Sequence, residues 1–114
     1  MRKQKFIQGI AVTEGSGNVY ADLGLRDPDA MLMKAQLVTK IDEIITRKGL
    51  TQTQAGQLLG MPQPKVSALL KGNFRGISER RLMDCLTRLG SDVQVVVKAA
   101  PRNRHAGKLS VVFA

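Results

Sequence analysis

Tryptophan is absent from this 114-residue chain, and three Phe and one Tyr are its only aromatic side chains. That scarcity argues against folds that stack bases or sugars on aromatic platforms. A single cysteine, Cys85, cannot close an internal disulfide, and a single histidine, His105, cannot build a histidine-containing metal cluster. Thiol usage of this kind fits a reducing compartment, so a cytoplasmic protein is expected. No apolar run approaches the ~18 residues of a membrane span. The stretch from Phe6 to Val12 is apolar but short, and Gln8 and Gly9 interrupt it. It is followed by Glu14 without a cleavage-like site, so it does not read as a signal peptide. Acid is scarce as well: nine Asp and Glu stand against eighteen Lys and Arg, a net charge of +9. So large a basic excess implies a polyanionic partner.

What is present is a globular composition, 43% apolar, enough for one domain with a modest core. Its charges are segregated. No acid occurs between Glu43 and Glu79, whereas Arg47, Lys48, Lys65, Lys71 and Arg75 lie in that window. After Asp92 the chain is again acid-free, with Lys98, Arg102, Arg104 and Lys108. A basic centre and a basic tail are therefore separate features.

Residues 1–29 read as an N-terminal arm, because Gly9, Gly15 and Gly17 break any period and Arg26-Asp27-Pro28-Asp29 is a turn signal. Val19, Tyr20, Leu23 and Leu25 are expected to anchor the arm on the core. Residues 30–90 read as helical. Leu37, Val38, Ile41, Ile44 and Ile45 recur at three and four, one apolar stripe of a first helix that Gly49 ends. Thr51 can cap a second helix, and Gln54 can complete a capping box with it. Leu58 and Leu59 are expected to point inward before Gly60. A third helix runs from about Gln63 to Lys71 over Val66, Leu69 and Leu70. Ser78 caps a fourth, with Leu82, Met83, Leu86 and Leu89 inward and Cys85 a packed thiol. Residues 91–114 change character. Val93 to Val97 is β-branched and reads as a strand, and Leu109 to Phe113 as a second short strand, giving a C-terminal strand or hairpin.

The segment Leu50 to Gly72, LTQTQAGQLLGMPQPKVSALLKG, carries the chemistry. Two short helices meet at a tight turn, Gly60-Met61-Pro62, with Gly56 small where the helices approach. That is the layout in which a second helix enters the DNA major groove and the first crosses the backbone. Gln52 and Thr53, at a helix N-terminus, are candidate phosphate clamps. Gln63, Pro64, Lys65, Ala68 and Lys71 point away from Val66 and Leu69. Gln63 can pair bidentately with adenine, and Lys65 can reach guanine acceptors or a phosphate. Pro64 and Ala68 offer apolar contact to a thymine methyl, while Ser67 either reaches the backbone or is solvated. Lys71, Asn73 and Arg75 follow as phosphate contacts. No catalytic constellation emerges: Cys85 and His105 fall on a core helix and in a basic loop, and no phosphate-binding glycine loop is present. Neither an enzyme nor a cofactor or metal site is expected.

Over about Ala30 to Gly90 the chain resembles the lambda-repressor/Cro-like (XRE) helix-turn-helix family. The resemblance implies a mainly α, lambda-repressor-like DNA-binding domain of four to five helices. Gly56 stands where that family usually has alanine, which weakens the helix by about 1 kcal/mol. Pro64 sits in the first turn of the recognition helix and disfavours helical geometry at Gln63. The flanks are similar to one group within the family. Ser16 to Leu25, a long first helix, Gln63-Pro64-Lys65-Val66-Ser67 and a β-rich basic tail look like the host-inhibition-of-growth antitoxins of type II toxin–antitoxin modules. That resemblance implies sequestration of a small RelE-like toxin and repression of the shared promoter, with acids in Asp22 to Glu43 as a docking face. A stand-alone XRE-type transcriptional regulator is the alternative. Either way a homodimer on a palindromic operator is expected. Val93 to Val97 then either pairs across the two-fold or packs on its own helices.

Overall fold

The computed structural model describes residues 5–7, 10–12 and 28–114. Two short strands, β1 (Lys5–Ile7) and β2 (Ile10–Val12), pair antiparallel with Phe6 opposite Ala11. Among the described residues four helices follow: α1 (Pro28–Arg47), α2 (Gln52–Leu59), α3 (Gln63–Leu70) and α4 (Glu79–Arg88). α1 packs chiefly on α4, and α2 on α3.

The apolar stripe of α1 is the spine of the core. Leu37, Val38, Ile41, Ile44 and Ile45 are buried, as the three-and-four spacing requires, together with Met33 and Ala35. Leu59, Val66, Leu69, Leu82, Cys85, Leu86 and Leu89 close over them from the other helices. Pro28 does not make a turn but opens α1, where its missing N–H is no loss and its fixed φ suits the first helical position. Gly60 has φ +70°, a left-handed geometry that costs a residue with a β-carbon about 1–2 kcal/mol, and the Met61 amide closes the turn onto the Gly56 carbonyl at 2.9 Å.

Gly56 is where the structure reverses the propensity argument. A β-carbon there would lie 2.5 Å from the Met61 carbonyl oxygen and 3.4 Å from Val66 Cγ2. The glycine is therefore what lets α2 sit against the turn and α3. Gly56→Ala should be destabilising by about 1–2 kcal/mol, because ~1–3 kcal/mol of overpacking exceeds the ~1 kcal/mol of helix propensity regained. A lowered urea midpoint at unchanged slope would show it, and an unchanged or raised midpoint would refute it.

Two expectations are corrected. Leu58 is 45% exposed: in so short a helix Ala55, Gly56 and Leu59 already fill the inward positions. The C-terminal strand or hairpin is not formed, and residues 91–114 contain no strand. Val95, Val96 and Val97 have the composition of a strand, but a strand needs a hydrogen-bonding neighbour, and none lies alongside them among the described residues. β1 and β2 fall inside the segment read as an N-terminal arm and carry the β-branched residues Ile7, Ile10 and Val12. The proposed anchors Val19, Tyr20, Leu23 and Leu25 lie outside the described residues.

Candidate nucleic-acid interface

α2 begins with the capping box expected of Thr51 and Gln54. Gln54 N–H donates to Thr51 Oγ1 at 3.1 Å, and Thr51 N–H donates to Gln54 Oε1 at 2.9 Å. Ala55 N–H donates to the Thr51 carbonyl at 2.8 Å. The amides of Gln52 and Thr53 fall at the first two helical positions, where no intrahelical acceptor exists. They lie at the positive end of the helix dipole, the chemistry that suits a phosphate oxygen.

α3 starts differently. Pro62 offers no side-chain cap; instead its carbonyl accepts from Lys65 N–H at 3.0 Å and Val66 N–H at 3.2 Å. Gln63 is helical despite the following proline. Val66 and Leu69 hold the helix on the core. That orientation leaves Gln63, Pro64 and Lys65 exposed and Ser67 and Ala68 half-buried on the other side. Lys71, Asn73 and Arg75 are exposed beyond the end of α3. Asn73 N–H donates to the Ala68 carbonyl at 2.9 Å, and the Lys34 ammonium donates to the Arg75 carbonyl at 2.8 Å. Phe74 and Ile77 are buried and pin this loop from within.

The structure joins two candidates that the sequence left separate. Gln63 Nε2 donates to Gln52 Oε1 at 2.6 Å, linking the first residues of α2 and α3. Gln63 retains one N–H and its carbonyl oxygen, the donor and acceptor that adenine N7 and N6 require in the major groove. The only available signal was that both glutamines open a helix on either side of one tight turn.

The electrostatics are one-sided. Ion pairs among the described residues lie on α1 and α4: Lys40 and Arg47 to Glu43 at 3.1 and 3.9 Å, Arg81 and Arg88 to Asp84 at 2.9 Å each, and Lys34 to Glu79 at 3.8 Å. Lys65, Lys71 and Arg75 make no ion pair among them. Arg81 also donates to the Leu59 carbonyl at 2.8 Å, tying α4 to the end of α2. Lys34 and Arg81 thus position the site without belonging to its outer face, and sequence reasoning missed both because their contacts lie 41 and 22 residues away.

Elsewhere the described residues carry little chemistry. Burial pushes the Cys85 thiol above its ordinary range and holds it protonated, against partly opposing charges from Arg81 and Arg88. His105 is exposed in the basic tail. No helix among the described residues is long and apolar enough to cross a membrane.

Comparison with known proteins agrees with this geometry. The helix-turn-helix domain family matches residues 19–98. A solved structure bearing the name of an XRE-family transcriptional regulator is 40% identical, superposes with a TM-score of 0.73, and is matched over 77% of this chain and 99% of its own. No curated protein matches.

Proposed function

We propose that this chain, which belongs to the XRE-type helix-turn-helix family of DNA-binding transcription regulators, is a sequence-specific repressor reading a palindromic operator as a homodimer. The observation that carries the reading is the Gln63–Gln52 hydrogen bond at 2.6 Å, which couples a base-facing side chain to a helix N-terminus suited to phosphate. In this assignment Gln63 reads adenine, Lys65 reads guanine or a phosphate, and Pro64 and Ala68 meet thymine methyls. The amides of Gln52 and Thr53 clamp the backbone, while Ser67, Lys71, Asn73 and Arg75 add phosphate contacts. One such helix reads one half-site, and a dimer gains affinity and register from two half-sites about 34–36 Å apart.

Lys71→Ala should weaken operator and random DNA alike and make the dependence of log K on log salt shallower by about one unit. Anisotropy titrations across a salt series check this; an unaltered slope would remove Lys71 from the phosphate contacts.

The finer reading is that repression serves a toxin–antitoxin pair, with this chain sequestering a RelE-like toxin. Its support is the resemblance of the flanks, with the arm and the tail as interaction elements. Of the acids proposed as its docking face, Asp42 and Glu43 are exposed on α1, with Glu43 within ion-pair reach of Lys40 and Arg47. Light scattering on the chain co-expressed with its neighbouring gene product decides the matter. A stable mixed complex supports the antitoxin; a homodimer alone that still shifts its own upstream DNA supports a dedicated regulator.

A further inference from the structure

The chain leaves α4 at Gly90, with Ser91 N–H donating to the Leu86 carbonyl at 3.0 Å. Val93 is half-buried against the core. The next residues then turn apolar surface to solvent: Val95 is 80% exposed, Val96 76% and Val97 91%. Their backbone groups make no hydrogen bond to another backbone group among the described residues. A β-branched segment with unpaired N–H and C=O groups is a template for another strand.

The sequence itself indicates which strand. We infer that Val93 to Val97 of two copies pair antiparallel about a two-fold axis through Val95, forming the ribbon that joins the dimer. In that register Val93 opposes the second copy's Val97, Gln94 opposes Val96, and Asp92 opposes Lys98. Alternate residues share a face, so Val93, Val95 and Val97 of both copies form one apolar side, continuous with the core that Val93 already touches. The opposite side carries two symmetry-related Asp92–Lys98 pairs. Moving the axis to Val96 would set Asp92 against Ala100 and lose the charge pairing. Parallel pairing in register would set Lys98 against Lys98. A free two-stranded ribbon is marginal in water, and here the two helical domains support its apolar side. The ribbon rests on the proposed dimer and gives it a surface.

Charge exchange tests the register in the full chain. By sedimentation equilibrium without DNA, Asp92→Lys or Lys98→Asp should raise the dimer dissociation constant about tenfold, two symmetric pairs each changing by a factor of a few. The double variant Asp92→Lys/Lys98→Asp should restore it. Under mild oxidation Val95→Cys should cross-link to itself and Val96→Cys should not, with Cys85 buried and out of reach. Unchanged dissociation in the single variants, no rescue in the double, or a monomeric wild type would overturn the ribbon. Gel shift on operator DNA keeps the two readings apart. A dimer that shifts operator DNA but lacks this rescue pattern sinks the ribbon alone, whereas a dimer with this rescue pattern that shifts no DNA sinks the operator reading alone.

Discussion

Gln63→Ala is expected to weaken operator binding by about 1–3 kcal/mol, roughly ten- to a hundredfold, and to relax preference at a single base pair. The effect should be local, because Gln63 is exposed and its side-chain partner among the described residues is Gln52, itself a residue of the same surface. Removing it takes away the donor–acceptor pair offered to adenine and releases Gln52 Oε1. Random DNA should be bound nearly as before, since a neutral amide displaces no counterion. The contrast with Lys71→Ala separates reading from clamping: one variant loses discrimination, the other loses affinity everywhere. Competition titrations with operators substituted one base pair at a time make the measurement. Undiminished operator affinity in the variant would show that Gln63 does not read a base.

Phe74→Ala should have the largest effect on stability, about 3–5 kcal/mol, the usual cost of emptying a buried aromatic site. Phe74 is 2% exposed and is the largest of the fully buried side chains among the described residues. A domain of this size has only about 5–15 kcal/mol of stability in total, so the melting temperature should fall by well over 10 °C. The loss should reach the DNA face too, because Phe74 pins the loop that carries Asn73 and Arg75 from within. Thermal unfolding of the variant checks the first part, and operator titration below its melting temperature checks the second. A loss under about 1 kcal/mol would mean that the site closes over the gap and that Phe74 is not the anchor.

Much of this molecule was legible residue by residue. The capping box at Thr51 and Gln54, the stop at Gly60 and the cap at Ser78 formed as expected, because caps depend on residues three positions apart and on nothing distant. The stripe of α1 was legible for a similar reason: periodicity is a local property that burial merely selects. The exposed face of α3 followed once Val66 and Leu69 were assigned inward. Phe74 and Ile77 were not legible as core, since they lie in an irregular loop that has no period to read. Leu58 looked like its neighbour Leu59, and one helical step decided which of them met the core. Val93 to Val97 showed β preference correctly, but preference does not supply a partner.

The sequence by itself thus determined the helices, the ends marked by caps and glycines, the basic charge of the central surface and the helix-turn-helix spacing, all set by interactions a few residues long. Tertiary structure alone decided that Gly56 is required rather than tolerated, because the Met61 carbonyl that excludes a β-carbon arrives through the turn. It also decided that Gln63 meets Gln52, that Lys34 and Arg81 brace the site, and that Val95, Val96 and Val97 stand exposed with no strand beside them among the described residues. These depend on where separately formed helices come to rest, and that is set by how their buried faces fit together.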